Sequence, residues 1–373
     1  MKFSCEKQVL LAAITTAARA SAGKSPIPAL EGLFFETEGS SVKITGYDLK
    51  KGIYTKIDAQ VDRQGKIILT ARLISEIIRS MPEGTVTISA DQDHMTKIIC
   101  ENAEFDIMGS DPVDYPELPK IDYESSVSIK QGVLRNMLSE TLFAVSDSES
   151  RPIYTGALFE IEKNELTIVA VDGFRLALRK ESIVESDRDE NNFVIPGIAL
   201  NELEKICSDT EEMVRITVGA KHISFTIGET VLVSRRLEGE FLDYKKMIPS
   251  ELPVNMIASR SQLQRVVDRV SLIIDERAKN PLRCVFSEDI IKMSCLTPLG
   301  KADDIVIAEG SGGGFEMGFN SRYMKDALRA APAEELKLSL INSVSPFIIT
   351  PETAEDSGKF LYMILPIRLK AEE

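Results

Sequence analysis

Apolar residues along this chain recur at two spacings, and the order in which those spacings alternate is itself repeated. Near the start, Val9, Leu10, Ala13, Ile14 and Ala17 fall on one stripe of a helix. The stripe returns at Leu134, Met137, Leu138, Thr141 and Leu142, and again at Leu263, Val266, Val267, Val270 and Ile274. After each comes a loop containing proline, then a hydrophobic run that reads as a strand: Leu33-Phe34-Phe35, Ala157-Leu158-Phe159 and Leu282-Arg283-Cys284-Val285. A second, alternating strand follows at a matching offset, as Val42-Lys43-Ile44-Thr45, Leu166-Thr167-Ile168-Val169 and Ile291-Lys292-Met293-Ser294. Three copies in register indicate an internal repeat of about 125 residues.

Each copy has a second half on the same plan. Shorter helices are predicted through Ile74-Ile77-Ile78-Met81, Leu200-Leu203-Ile206 and Met324-Ala327-Leu328-Ala331, with strands such as Thr85-Val86-Thr87-Ile88 and Val214-Arg215-Ile216-Thr217-Val218 close behind. The fold class is α+β: six helix-plus-sheet units in three tandem domains. Proline-bearing segments at Asp114-Tyr115-Pro116 and from Asp243-Tyr244 to Pro249 end the first two copies, which places the domains at 1-125, 126-252 and 253-373.

A chain of 373 residues, 43% of them hydrophobic, can bury a core in each of three domains. Its first apolar stretch, Val9 to Ala20, is interrupted by Thr15, Thr16 and Arg19, and no later run is long enough to span a bilayer. Cys5, Cys100, Cys207, Cys284 and Cys295 are scattered without CxxC spacing, as expected of buried thiols in a reducing compartment. The expected address is the cytoplasm, with no membrane partner. A net charge of -14 argues against a protein that coats nucleic acid over its whole surface, because neutralising phosphates takes clustered Lys and Arg.

That charge is unevenly placed. The helical segments and their flanks carry Lys7, Arg19, Arg72, Arg79, Lys130, Arg135, Lys205, Arg260, Arg265, Arg269, Arg322, Lys325 and Arg329, against about seven acidic residues. For any one of these the ordinary reading is a solvated helix face. A contrast running through all six helices predicts a common basic surface, suited to phosphates and blind to sequence, with no aromatic side chains for base stacking.

Catalytic chemistry is sparse. His94 and His222 have no acidic or cysteine neighbour at ligand spacing, and each reads as a surface or turn histidine. Ser311-Gly312-Gly313-Gly314 lacks the Lys-Ser/Thr of a phosphate-binding loop and reads as a flexible connector. Asp172 is the one carboxylate around which an enzyme reading could be built, and it has no partner base or metal in the sequence. No metal site, cofactor or catalytic residue is expected.

On this repeat, Ser150-Arg151-Pro152, Val171-Asp172-Gly173-Phe174-Arg175-Leu176, Gly239-Glu240-Phe241-Leu242-Asp243-Tyr244 and the closing Tyr362-Met363-Ile364-Leu365-Pro366-Ile367-Arg368-Leu369 form a specific set. Together with the opening Met1-Lys2-Phe3 they resemble the bacterial sliding clamps, the beta subunits of the replicative DNA polymerase, over essentially the full length. The resemblance implies a non-catalytic processivity factor: a head-to-tail homodimer forming a ring, helices inside and sheets outside, around double-stranded DNA. It also implies docking of the polymerase catalytic subunit, the clamp-loader and repair proteins through short peptides.

Carried over position by position, the resemblance implies a peptide pocket from Tyr154, Thr155, Val171, Gly173, Phe174, Arg175, Leu176, Leu242, Lys246, Met247, Met363, Leu365, Pro366, Ile367, Arg368 and Leu369. It implies DNA contacts at Lys24, Arg72 and Arg151, and a dimer interface joining Phe105 and Ile107 to Leu272 and Ile273. The chain departs from the family pattern in two places. Gly197-Ile198 stands where many clamps have a basic residue, and Asp147-Ser148-Glu149 makes the approach to Arg151 acidic. Without the resemblance, Leu365-Pro366-Ile367 reads as a final core strand.

Overall fold

The structure, a computed structural model, describes residues 1–275, 280–353 and 359–369; the C-terminal extension from Lys370 to Glu373 lies outside them. Among the described residues there are six α-helices: α1 (Lys7–Ala18), α2 (Ala71–Ser80), α3 (Gln131–Ser139), α4 (Gly197–Ile206), α5 (Arg260–Val270) and α6 (Ser321–Ala330). The predicted stripes bury Leu10, Ala13, Ile14 and Ala17 of α1, Ile74, Ile77 and Ile78 of α2, and Leu263, Val266, Val267 and Val270 of α5. Val9 is the exception and is exposed. Five expected helical positions lie beyond their helices: Met81 follows α2, Thr141 and Leu142 follow α3, Ile274 follows a short turn, Ser271–Ile273, after α5, and Ala331 follows α6. Thr141 explains the early stop of α3, because its buried hydroxyl donates to the carbonyl oxygen of Met137 at 2.7 Å.

Caps fix the start of the third-domain helices. Ser259 accepts from the backbone N–H of Gln262 at 3.3 Å and Asn320 from that of Arg322 at 3.0 Å, each satisfying a donor the helix leaves open.

The chain falls into two compact units: Met1–Leu134 with Val184–Arg188 and Asn201–Arg236, and Arg135–Ile183 with Asp189–Leu200 and Leu237–Glu373. These do not follow the repeat. In the first unit, strand Lys51–Asp58 of the first copy pairs antiparallel with Thr230–Arg235 of the second, Leu232 opposite Ile53, making one nine-stranded sheet. In the second unit, Arg175–Ser182 of the second copy pairs with Phe360–Ile364 of the third, Leu176 opposite Met363, within a ten-stranded sheet. The first sheet thus joins half of the first copy to half of the second, and the ten-stranded sheet joins half of the second copy to the described strands of the third. A five-stranded sheet completes the first unit and ends on strand Ala103–Met108.

Two expectations for the third copy are corrected. The strands read at Leu282–Val285 and Ile291–Ser294 are parts of one strand, Leu282–Thr297, whose register is irregular around Glu288. Ser311-Gly312-Gly313-Gly314 is not a connector but lies inside the partner strand Gly300–Phe319. There Gly310 (φ 118°) turns the strand between two neighbours, and a Cβ on Gly312 would lie 2.4 Å from the backbone of Phe286.

In the first unit, α1 packs so closely on the sheet that a Cβ on Gly46 would stand 2.0 Å from the carbonyl oxygen of Ala17. The core beneath combines Phe3, Leu10, Ile14, Phe35, Ile44, Ile74 and Ile78. In the second unit Leu158, Val169, Leu176, Leu178, Tyr244, Ile348 and Met363 pack together under Phe241, Ile248 and Leu252.

Candidate functional site

An Asp-Gly turn and the end of the last strand bring the central part of the site together. Asp172 accepts from the backbone N–H groups of Phe174 and Arg175 at 2.9 and 3.0 Å, closing a tight turn through Gly173 (φ 93°). That geometry pushes Phe174 outward, 62% exposed, and leaves its carbonyl oxygen to accept from Leu365 N–H at 2.8 Å. The chain then runs past Pro366 to Ile367, whose N–H donates to Gly318 at 2.7 Å. Gly318 lets the two segments approach closely: a Cβ would lie 2.7 Å from the end of the Leu369 side chain and 3.0 Å from the Ile367 carbonyl oxygen.

Phe174, Leu365, Pro366 and Ile367 line a cavity of about 520 Å³. Its opposite wall is Ile274 with Asn320, Ser321, Arg322 and Tyr323 at the start of α6. The sequence reading missed this wall. Its only local signal was a capped helix start. Phe174 and Tyr323 stack with ring centroids 6.5 Å apart, and the Arg175 guanidinium lies 4.4 Å from the Tyr323 ring centroid. Arg175 is buried, its Nε donating to Asp172 at 2.9 Å and its Nη1 to Asp326 at 2.7 Å. Asp172 is therefore committed to holding a turn and a cation, which removes it as a catalytic candidate.

The remaining expected pocket residues divide. Leu176 and Met363 are 0% and 2% exposed and pack in the core beside the cavity, and Val171 is also buried. Tyr154 and Thr155 are half-buried, with the Tyr154 ring edge-on to Phe241 at 5.7 Å. Leu242 is half-buried, Met247 and Arg368 are exposed, and Leu369 rests on Gly318. Lys246 is exposed and paired with Asp243 at 2.6 Å.

The helix charges also divide. Lys7 is buried against Glu83, Arg19 pairs with Glu202, Arg260 with Glu334, Arg269 with Asp304 and Lys325 with Asp268. Arg79, Arg135, Arg265 and Arg329 make no ion pair among the described residues. α4 carries Glu202 and Glu204 against Lys205 alone, so the basic contrast does not extend to every helix. Lys24 is exposed in the loop after α1, Arg72 is exposed in the first turn of α2, and Arg151 lies 5.8 Å from the Tyr154 ring centroid. His94 sits in a left-handed turn (φ 64°), and no group of three metal-ligating side chains occurs among the described residues. All five cysteines are buried free thiols. No helix among the described residues is long and apolar enough to cross a membrane.

Of the residues expected at a dimer interface, Phe105 is exposed and Ile107 half-buried on the outermost strand of the five-stranded sheet. Leu272 is 83% exposed, and Ile273 beside it is half-buried.

Sequence profiles of the DNA polymerase III beta subunit match end to end: its N-terminal domain over residues 1–119, its central domain over 128–243 and its C-terminal domain over 245–368. The chain is 31% identical to the beta sliding clamp of Staphylococcus epidermidis, with 99% of each covered. Among solved structures it superposes on the DNA polymerase sliding clamp of Bacillus subtilis with a TM-score of 0.93 at 31% identity, covering 99% of this chain and 100% of that one. A putative DNA polymerase III beta subunit from Eubacterium rectale gives a TM-score of 0.93 at 30% identity with the same coverage. With three consecutive domains matched and the strand framework shared throughout, the chain belongs to the DNA polymerase III beta subunit family, the bacterial sliding clamps.

Proposed function

We propose that the chain works as a sliding clamp: a homodimeric ring that encircles double-stranded DNA, holds the replicative polymerase on it, and performs no catalysis itself. The domains are 1-125, 126-252 and 253-373, the setting is the cytoplasm, and the clamp-loader and repair proteins share the peptide pocket.

The observation that carries the ring is the pairing of half-copies. Lys51–Asp58 of the first copy pairs with Thr230–Arg235 of the second, and Arg175–Ser182 of the second with Phe360–Ile364 of the third. The same scheme leaves two strands over. One is Ala103–Met108; the other is the start of Gly300–Phe319, where residues 300–307 pair with Leu282–Thr297 on one side and with no described strand on the other. An open edge invites another strand, and Ile305 and Ile307 on it are exposed, as is Leu272. Joining these two edges between copies, Phe105 and Ile107 against Leu272 and Ile273, uses both. The contact is heterologous and closes after two subunits.

Topology then replaces affinity: a closed ring cannot leave DNA sideways, so a weak, sequence-blind contact from Lys24, Arg72 and Arg151 suffices. Loaded on a nicked circle, the protein should stay bound and run off once the circle is linearised. Leu272→Ala with Ile273→Ala should give folded monomers in sedimentation and no such retention. Replacing Lys24, Arg72 and Arg151 by Ala should weaken loading equally on all sequences and make the salt dependence shallower by roughly one per lost contact. Equal retention on circular and linear DNA would sink the ring.

A further inference from the structure

A second cavity, of about 220 Å³, opens beside the pocket and shares Phe174, Arg322 and Tyr323 with it. Its other wall is the loop after α3, through Ser146, Asp147 and Ser148. At its floor Arg175 bonds Asp172 and Asp326, and on the shared wall the exposed Arg322 lies 3.9 Å from Asp326. What is left over sits on the loop. Asp147 and Glu149 are exposed and make no ion pair among the described residues, while Arg151 is turned toward the Tyr154 ring. The loop is built to hold this shape, with Ser148 Oγ 2.9 Å from Ser150 Oγ and accepting from the Ser150 N–H at 3.4 Å.

We propose that this side cavity selects among partner peptides by charge, favouring those with a lysine or arginine next to the apolar anchor and disfavouring those with an acid there. The inference rests on the reading of the larger cavity as a peptide pocket. A flanking side chain leaving that pocket past Phe174 and Tyr323 enters a space whose fixed charges cancel at the base and are negative at the rim. A carboxylate there meets Asp147 unscreened by any paired cation, whereas an ammonium completes the missing pair.

The test uses the full chain and three peptides with one Leu-Xaa-Leu-Phe anchor, flanked by Lys, Ala or Glu at both ends, with binding read by fluorescence anisotropy at low and high salt. At low salt the Lys peptide should bind about fivefold more tightly than the Glu peptide, with Ala between. In Asp147→Asn with Glu149→Gln, and in native protein at high salt, that ratio should fall below about twofold. Three peptides of equal affinity, or a ratio unchanged in the double variant, would overturn charge selection and leave the pocket standing. Failure of even the Ala peptide to bind would overturn the pocket, and this inference with it.

Discussion

Glu140→Gln should make the protein more stable at pH 8 than the native chain, with the advantage shrinking as the pH is lowered to 5. Glu140 follows α3 and is buried, and its carboxyl Oε2 lies 3.3 Å from Arg179 Nη1 without an aligned hydrogen bond. Arg179 also pairs with Glu181, and the buried Tyr362 hydroxyl close by has no hydrogen-bond partner. Burial pushes the Glu140 carboxyl up to about 7; Arg179 pulls it down and Glu181 pushes it further up. A carboxyl whose proton is held more tightly in the folded chain supports folding fully below its unfolded pKa, near 4.5, and loses that support as pH rises through 7. The loss amounts to about 3 kcal/mol. Glutamine keeps the shape and never ionises, so the variant-minus-native difference in unfolding free energy should widen by about 2–3 kcal/mol between pH 5 and pH 8. A difference that does not move with pH would show that Glu140 is ionised throughout.

The second large effect separates core from pocket. Met363→Ala should cost about 2–4 kcal/mol of stability, because Met363 is enclosed by Leu176, Leu178 and Ile348 and its truncation leaves a cavity. Phe174→Ala should leave the unfolding midpoint almost unchanged and weaken an anchor peptide by about 2 kcal/mol, since this exposed ring forms a wall of the larger cavity. Calorimetry of binding and a denaturant titration on both variants tell these apart. If Met363→Ala stays fully stable yet loses peptide, the core assignment is wrong.

The split follows from what a strand pattern can and cannot say. Alternation made Leu176 and Met363 visible as apolar members of two strands, and their neighbours Phe174 and Leu365 visible as part of the same motifs. Which of them faces out depends on the turn held by Asp172 and on antiparallel pairing 187 positions apart in sequence, Leu176 opposite Met363. A period of two carries no address for a partner strand. For the same reason the three copies were legible, as were the buried stripes of α1, α2 and α5, whereas the joining of half-copies into shared sheets was not. The α6 wall was hidden differently: Asn320 looked like any helix cap, and only packing shows that the first turn after it faces Phe174. Ser311-Gly312-Gly313-Gly314 misled because glycine composition resembles slack, although Gly312 is there to let Phe286 come close.

The offset between sequence copy and shared sheet bears on how such a molecule can be cut and rejoined. Inside the chain, one copy is joined to the next by strand pairing and not merely by the linker that follows it. On the proposed assembly, the same joint recurs where no peptide bond links the partners. Covalent continuity is then incidental at every seam. Termini could be moved by half a copy, or the number of copies per chain changed with the number of chains changed to compensate, and each seam would still be made of two strands that had nowhere else to go.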